Sequence, residues 1–353
     1  MRFIFAQPCV MRFVWELEVC INRLYKLGVD KQDVVILLDH RHDDLYKRLQ
    51  KLGCEINRYR DDRTDISYIP SIRPYLWYQY LSEDREREKA DYLYIDSDVL
   101  FSALPDIEVQ DGVWYASNCN SYIGNKYIDS KGENLLQDMT KAINIDYELV
   151  RKHEKGAGAH WVITKPTAEY WWRVYKDSIT LHKYLSSIER QYIKANAEGY
   201  VPIQKWTAEM WSQLWNAYAI GIDVQIHDEL TFVFATDTKA AADKVKIVHN
   251  AGVMSDKKKT LFYKGDYLFK DPYLVDLTYV DKNSASYVYA QGIQEIKIMT
   301  KYKVIQGFRD KTDGVPYYVG DAFPKDSEKK VPANRIKYLV GEGLIEKVKQ
   351  VEE

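Results

Sequence analysis

The apolar run Tyr92-Leu93-Tyr94-Ile95 leads directly into Asp96-Ser97-Asp98, and apolar sequence resumes at Val99-Leu100. Side chains alternate along an extended strand, so acids two residues apart fall on one side. Two carboxylates held that close repel unless a cation lies between them. Carboxylate oxygens suit Mg²⁺ or Mn²⁺, ions that commonly bridge to substrate phosphates. The competing reading of a D-x-D is a loop of solvated or capping aspartates. Its place at the end of a buried strand, after two strand–helix units, favours the metal.

The elements that must position these acids follow from periodicity. Residues 2–6 form a short apolar run. Val14, Leu17, Ile21, Leu24 and Leu27 mark a helix closed by Gly28. Residues 33–38 read as a buried strand, Leu45, Leu49 and Leu52 as one face of a helix, and residues 54–59 as a third strand. A helix over 73–83 has a charged end at 83–89, and 90–101 reads as one strand carrying the acids. Such alternation predicts a mostly parallel sheet covered on both faces, with its ligand at the carboxyl ends of the strands. The middle predicts helices over 133–141, 167–176, 181–197 and 207–218. It predicts strands around 113–116, 161–164, 230–235 and 245–249.

Composition bounds the function. The chain has 353 residues, 46% hydrophobic and 29% charged, which describes a globular protein able to bury a large core rather than a disordered or membrane-embedded one. Its net charge of −2 excludes a uniformly basic nucleic-acid binder, while leaving room for a local basic patch. Cys9, Cys20, Cys54 and Cys119 show no zinc or redox spacing, which predicts a reducing compartment. The first strand meets Pro8 too soon for a signal peptide, and no apolar window is long enough to span a membrane, so a cytoplasmic location is expected. Tyr and Trp are abundant, with 29 and 9 copies, and their flat rings suit sugar or base stacking as well as core packing.

With the D-x-D strand in place, the chain resembles the GT-A glycosyltransferases, the nucleotide-sugar-dependent enzymes. Within them it is most similar to the glycogenin-type and bacterial galactosyltransferase-type retaining enzymes. The resemblance rests on four motifs in order across residues 1–275. They are Phe3-Ile4-Phe5-Ala6-Gln7, Asp96-Ser97-Asp98, Gly156-Ala157-Gly158-Ala159-His160-Trp161-Val162-Ile163, and Ile247-Val248-His249-Asn250-Ala251-Gly252. It implies a Rossmann-like mixed sheet flanked by helices and an Mn²⁺ or Mg²⁺ site of Asp96, Asp98 and His249. It also implies that Ala6 and Gln7 cradle the nucleobase of a UDP-sugar, with Ser97 and His160 on the donor. A neutral imidazole beside two carboxylates is a good Mn²⁺ ligand; otherwise His249 is a core or capping histidine.

Other residues carry two readings each. Family members place a lysine on the diphosphate shortly after the histidine. Here Lys257, Lys258, Lys259 and Lys264 are all candidates, against a solvated charged turn. Arg73 matches a donor-contacting arginine or makes a surface salt bridge. Asp39 reaches the uracil or ribose, or caps the following helix. Glu209, between Trp206 and Trp211, matches an acidic sugar-facing position, or is a charge favoured at a helix N-terminus. The reading gives Glu209 and Asp98 the catalytic roles and Gln204 and Asn118 further sugar contacts. Trp161, Trp171, Trp172, Trp206, Trp211 and Trp215 either wall the acceptor side or pack the core.

Beyond residue 295 the composition changes. Residues 297–353 carry 12 Lys+Arg against 9 acids, with strands at 301–307 and 317–319, turns at Thr312-Asp313-Gly314 and Gly320-Asp321, and a helix near 334–340. This piece resembles a small β-rich module common in bacteriophage proteins, which implies a phage-encoded enzyme in the host cytoplasm. The expected domains are a GT-A domain over 1–285, a linker at about 286–295 and a β-rich accessory module over 296–353 that adapts, dimerises or docks the acceptor. The expected function is metal-dependent hexosyl transfer, with retention, from a UDP-glucose- or UDP-galactose-type donor to a hydroxyl on a modified DNA base, a virion protein or a saccharide. The alternatives are a GT-A scaffold that has lost turnover, or a nucleotidyltransferase. The latter is disfavoured by the lack of a glycine-rich loop after the first strand.

Overall fold

The computed structural model describes residues 1–196, 198–273, 275–296, 302–312, 314–325 and 331–347. Strand–helix alternation opens the chain: β1 (Arg2–Gln7), α1 (Met11–Lys26), β2 (Val34–Asp39), α2 (Asp43–Gln50), β3 (Glu55–Tyr59), α3 (Ile72–Glu83) and β4 (Asp91–Tyr94). Then come β5 (Val99–Phe101), β6 (Val113–Asn118) and four short helices, α4 (Asn120–Ile123), α5 (Asn125–Asp129), α6 (Leu135–Ala142) and α7 (Tyr147–Lys152). They lead to β7 (Ala157–Thr164), α8 (Ala168–Ala195), α9 (Ala208–Ala219), β8 (Asp223–Ile226), β9 (Phe232–Phe234), α10 (Lys239–Ala242), β10 (Ile247–His249) and α11 (Ala285–Gln294).

One seven-stranded sheet runs in the order β3-β2-β1-β4-β7-β6-β8. The β3-β2-β1-β4 half is parallel, β7 is antiparallel to both its neighbours, and β8 runs parallel to β6. The architecture is therefore a mixed, mostly parallel α/β sheet. Its two faces carry separate cores. Leu76, Trp77, Trp171 and Trp211 pack on one, and Val14, Leu17, Ile21 and Leu49 on the other. The near-continuous burial of β2 fits a strand covered on both faces.

Several elements differ from expectation. Residues 90–101 form two strands rather than one. Ile95 N–H still donates to Ile4 C=O at 3.3 Å, then the chain turns through the acids and β5 joins a second sheet, β5-β10-β9. The helices expected over 167–176 and 181–197 are one helix, α8, with Thr167 as its N-cap and Asn196 just past its end; residue 197 lies outside the described residues. The polar interruption does not break the helix because its groups are satisfied. Ser178 Oγ donates to Tyr175 C=O at 2.8 Å, and Asp177 accepts from Asn216 at 2.7 Å. β8 is an edge strand of four residues, too short and polar to show in the sequence pattern.

Residues 286–295, where a linker was expected, fall largely in α11, whose Tyr289 and Ile293 pack with Trp15, Val19 and Phe262. The tail forms β11 (Tyr302–Val304), β12 (Phe308–Arg309), β13 (Pro316–Tyr317), β14 (Ala322–Phe323), α12 (Ala333–Gly341) and β15 (Ile345–Lys347). They make two small sheets around a core of Val304, Tyr317, Phe323, Leu339 and Ile345. Of the expected tail features, residue 301 of the first strand and Asp313 of the first turn lie outside the described residues. All four cysteines are free thiols. Among the described residues no helix is long and apolar enough to cross a membrane.

Candidate active site

The carboxyl ends of β1 and β4 open on a cavity of about 630 Å³, the place a parallel sheet offers a ligand. Asp96 and Asp98 stand in its wall because the chain leaves the large sheet at Ile95. Strand pairing brings the histidine to them. β10 runs antiparallel to β5 with His249 opposite Val99, the residue after Asp98. Asn250 N–H donates to Asp98 C=O at 2.8 Å and locks that register. His249 Nε2 then lies 3.2 Å from Asp98 Oδ1 and 3.6 Å from Asp96 Oδ2.

These three residues each offer one ligand atom, all within 4.8 Å of one another. Ligands on neighbouring corners of an octahedral ion with bonds of about 2.1 Å lie about 3 Å apart, so the set fits a small divalent cation. Two carboxylates and an imidazole are also the donor chemistry that Mn²⁺ accepts. Nearby side chains also place positive charge on the two acids. Arg73 Nη2 sits 2.5 Å from Asp96 Oδ1, and Lys264 Nζ pairs with Asp98 Oδ2. Lys264 and His249 hold the Asp98 carboxyl well below its usual range although burial opposes this. Burial opposes the charged form of His249 too, but Asp98 and Asp96 outweigh it and raise its pKa.

Arg73, in the first turn of α3, links the acids to Glu209. Its Nε donates to Tyr94 Oη at 2.9 Å, and its Nη1 lies 3.6 Å from Glu209 Oε2. Glu209 lies in the first turn of α9, and its backbone N–H donates to Tyr68 Oη at 3.1 Å. Tyr68 Oη in turn donates to Trp206 C=O at 2.5 Å, so the Trp206–Glu209 turn is held as a unit. Burial pushes the Glu209 carboxyl up to about 7, partly offset by Arg73. A carboxylate poised near neutrality in a cleft is suited to electrostatic or proton-transfer work.

The other expected residues divide. Gln7, Ser97 and Lys264 line the cavity together with the acids, Arg73, Glu209 and His249. Ala6 lies buried within β1, one residue before the lining begins. Lys257, Lys258 and Lys259 lie on an exposed turn away from the cavity, with Lys258 facing Asp266 at 3.4 Å. Asp39 is fully buried, accepts Cys9 N–H at 2.8 Å and pairs with Arg41 at 2.5 Å; it pins the β1–α1 turn and does not line the cavity.

His160 is fully buried behind His249, their ring centroids 5.3 Å apart. Ser117 Oγ donates to Leu230 C=O at 2.7 Å, so it accepts at 2.9 Å from His160 Nδ1, which must carry the ring proton. Burial holds this imidazole well below its usual pKa, in the neutral form. Gln204 lines the cavity, whereas Asn118 is an exposed residue that accepts Asn120 N–H at 3.1 Å. Trp161 and Trp206 line the cavity, while Trp171, Trp211 and Trp215 are core and Trp172 packs on Tyr78.

The small-residue segment at the start of β7 has a packing reason. A Cβ on Gly156 would lie 2.6 Å from Gly124 N, and one on Gly158 2.6 Å from Met210 Cε. Ala159, next along and lining the cavity, has φ +59°, a left-handed conformation at a register shift between β6 and β7. Sequence reading missed Arg12, Tyr94, Tyr122, Gln213 and Thr236 of the lining, and the buried Glu16 behind it. Strand alternation could have found Tyr94, two residues before Asp96. The i, i+4 spacing of Arg12 and Glu16 on α1 was legible too. The others carry no local signal.

No family model matches the sequence, and no curated protein matches it. Solved structures do. The chain is similar to the WbbM bifunctional glycosyltransferase in its apo form, at 13% identity and TM-score 0.45 over 84% of this chain and 50% of that one. It is similar to the galactosyltransferase LgtC in complex with donor and acceptor sugar analogues, at 13% identity and TM-score 0.40, covering 71% and 87%. A glycosyltransferase involved in glycosylation of the major capsid of PBCV-1 gives 9% identity and TM-score 0.34, covering 73% and 97%. The chain spans half the length of the first of these proteins.

Proposed function

We propose that residues 1–285 form a GT-A nucleotide-sugar transferase that moves a hexosyl group from a UDP-sugar to an acceptor hydroxyl, with retention. Residues 296–353 form an accessory module in this reading. The observation that carries it is the meeting of Asp96, Asp98 and His249 at the wall of a cavity that also holds Lys264, Arg73 and Glu209.

Each group has a task in such a transfer. Asp96, Asp98 and His249 would hold Mn²⁺ or Mg²⁺, which when bound supplies Lewis-acid stabilisation of the leaving diphosphate. Lys264 and Arg73 add fixed positive charge beside the two aspartates, where the diphosphate charge develops. Gln7, with Pro8 at the end of β1, walls the nucleoside end. The bond from sugar C1 to the diphosphate oxygen breaks with its electron pair on that oxygen. The acceptor hydroxyl oxygen bonds to C1, and its proton passes to the leaving phosphate oxygen. Glu209 faces the sugar, and its carboxylate stabilises positive charge on the ring in an oxocarbenium-like state. Tyr94 and Arg73 orient Glu209, and the Tyr68 hydroxyl fixes the start of its helix. Trp206, 60% exposed beside Ile69 and Pro70 at the cavity mouth, offers a flat apolar surface to the acceptor.

The test is release of UDP from UDP-glucose and UDP-galactose with Mn²⁺ present. Turnover that disappears with chelator and in Asp98→Asn supports the reading. No turnover with a panel of nucleotide sugars and acceptors contradicts it.

A further inference from the structure

Arg12 and Glu16 form an arrangement in this cavity that the roles above leave unused. Glu16 lies in α1 with no exposed surface, yet it carries a carboxyl group. Its Oε2 accepts from Ser97 Oγ at 2.7 Å, so it grips the residue between the two metal-site acids. Its Oε1 accepts from Arg12 Nε at 2.9 Å. Burying an acid is costly unless its oxygens are satisfied, and here each has one defined partner.

The guanidinium that Glu16 orients is left half used. Arg12 lines the cavity beside Ser97, Asp98 and Lys264, about a quarter exposed. Its Nη1 and Nη2 have no hydrogen-bond or ion-pair partner among the described residues, and its flat face lies over Phe13 at 4.9 Å. A guanidinium held through Nε by a buried carboxylate presents its two terminal nitrogens as a rigid fork. That geometry suits the paired oxygens of a phosphate.

We infer that Arg12 is a diphosphate-binding residue of the donor site and that Glu16 positions it while tying it to the Asp96–Asp98 turn. The inference rests on the transferase reading and adds a cation to the donor site besides Arg73 and Lys264. Glu16 acts through Ser97 and Arg12 and does not itself touch substrate.

Calorimetric binding of UDP, UMP and uridine with Mn²⁺ tests this in the full chain, comparing the unaltered protein with Arg12→Gln, Arg12→Lys and Glu16→Gln. Losing one charge-assisted bond pair predicts UDP affinity about ten- to hundredfold weaker in Arg12→Gln, with uridine binding unchanged. Arg12→Lys recovers only part of it, because an ammonium lacks the fork. Glu16→Gln, which keeps one acceptor oxygen, gives a smaller loss with the same preference for the diphosphate. Undiminished UDP affinity in Arg12→Gln, or equal losses for all three ligands, overturns the inference while leaving the transferase reading intact. No UDP binding by the unaltered protein overturns the transferase reading and this inference together.

Discussion

Glu209→Gln separates stability from catalysis in one substitution. Burial raises the Glu209 carboxyl from 4.5 to about 7, so ionising it in the folded protein is unfavourable. The sign follows from linkage. Below the unfolded pKa the side chain is neutral in both states and costs nothing. As pH rises through 4.5 toward 7 the unfolded chain releases its proton first, and the folded state loses relative stability. That rise corresponds to about 3 kcal/mol at about pH 8.5, falling below about 1 kcal/mol at about pH 5. Gln keeps the shape without the charge. The metal-free variant should therefore resist urea better than the unaltered protein by about that amount at high pH, and the gain should vanish on acidification. Transfer activity should move the opposite way, falling about 10²–10³-fold as expected for a lost charge-stabilising group. The assays are urea titrations at both pH values with chelator, and UDP release. A variant no more stable at high pH, or a stability gain independent of pH, would refute the reasoning about burial. Retained activity would refute the role of the carboxylate.

Four further outcomes follow from the same geometry. Lys264→Ala should weaken UDP-sugar binding about tenfold or more, while the triple change of Lys257, Lys258 and Lys259 to Ala should alter it less than twofold, measured as donor KM, because Lys264 alone of the four lines the cavity. Gly156→Ala forces a Cβ to 2.6 Å from the Gly124 backbone and should lower stability by about 1–3 kcal/mol in urea titrations, with loss of activity only above the new unfolding midpoint. The transfer activity of the unaltered protein should rise with pH through about 7 as Glu209 ionises, and this limb should be absent from the residual activity of Glu209→Gln. Trp206→Ala should raise acceptor KM while leaving donor KM within about twofold, since its ring sits at the mouth and its loss removes stacking of order 1 kcal/mol.

The elements that build the site were legible where periodicity is strong. α1 and α2 announce themselves by apolar spacing and by the glycine stops Gly28 and Gly53, β2 by an unbroken apolar run, and the D-x-D sits at the end of another. The split of residues 90–101 into two strands was not legible. Nothing local distinguishes a strand that continues from one that turns and pairs elsewhere, and only β10, some 150 residues later, provides β5 with its partner. The same long-range pairing sets His249 beside Asp98, so its place followed from a family resemblance rather than from spacing. Lys264 could not be told from Lys257–Lys259 by sequence, because the choice depends on a turn anchored by Tyr267 stacking on Phe262. Asp39 shows the reverse failure. An acid at a strand end looks like a ligand, yet this one is consumed by a backbone N–H and an arginine.

The claim on which the rest depends is that Asp96, Asp98 and His249 jointly hold one divalent cation. Electron paramagnetic resonance of Mn²⁺ titrated into the protein with UDP measures this directly. One site per chain is predicted for the unaltered protein, with affinity lowered about tenfold or more in Asp98→Asn and in His249→Ala. Mn²⁺ binding that is absent from the unaltered protein, or unchanged by both substitutions, would contradict it.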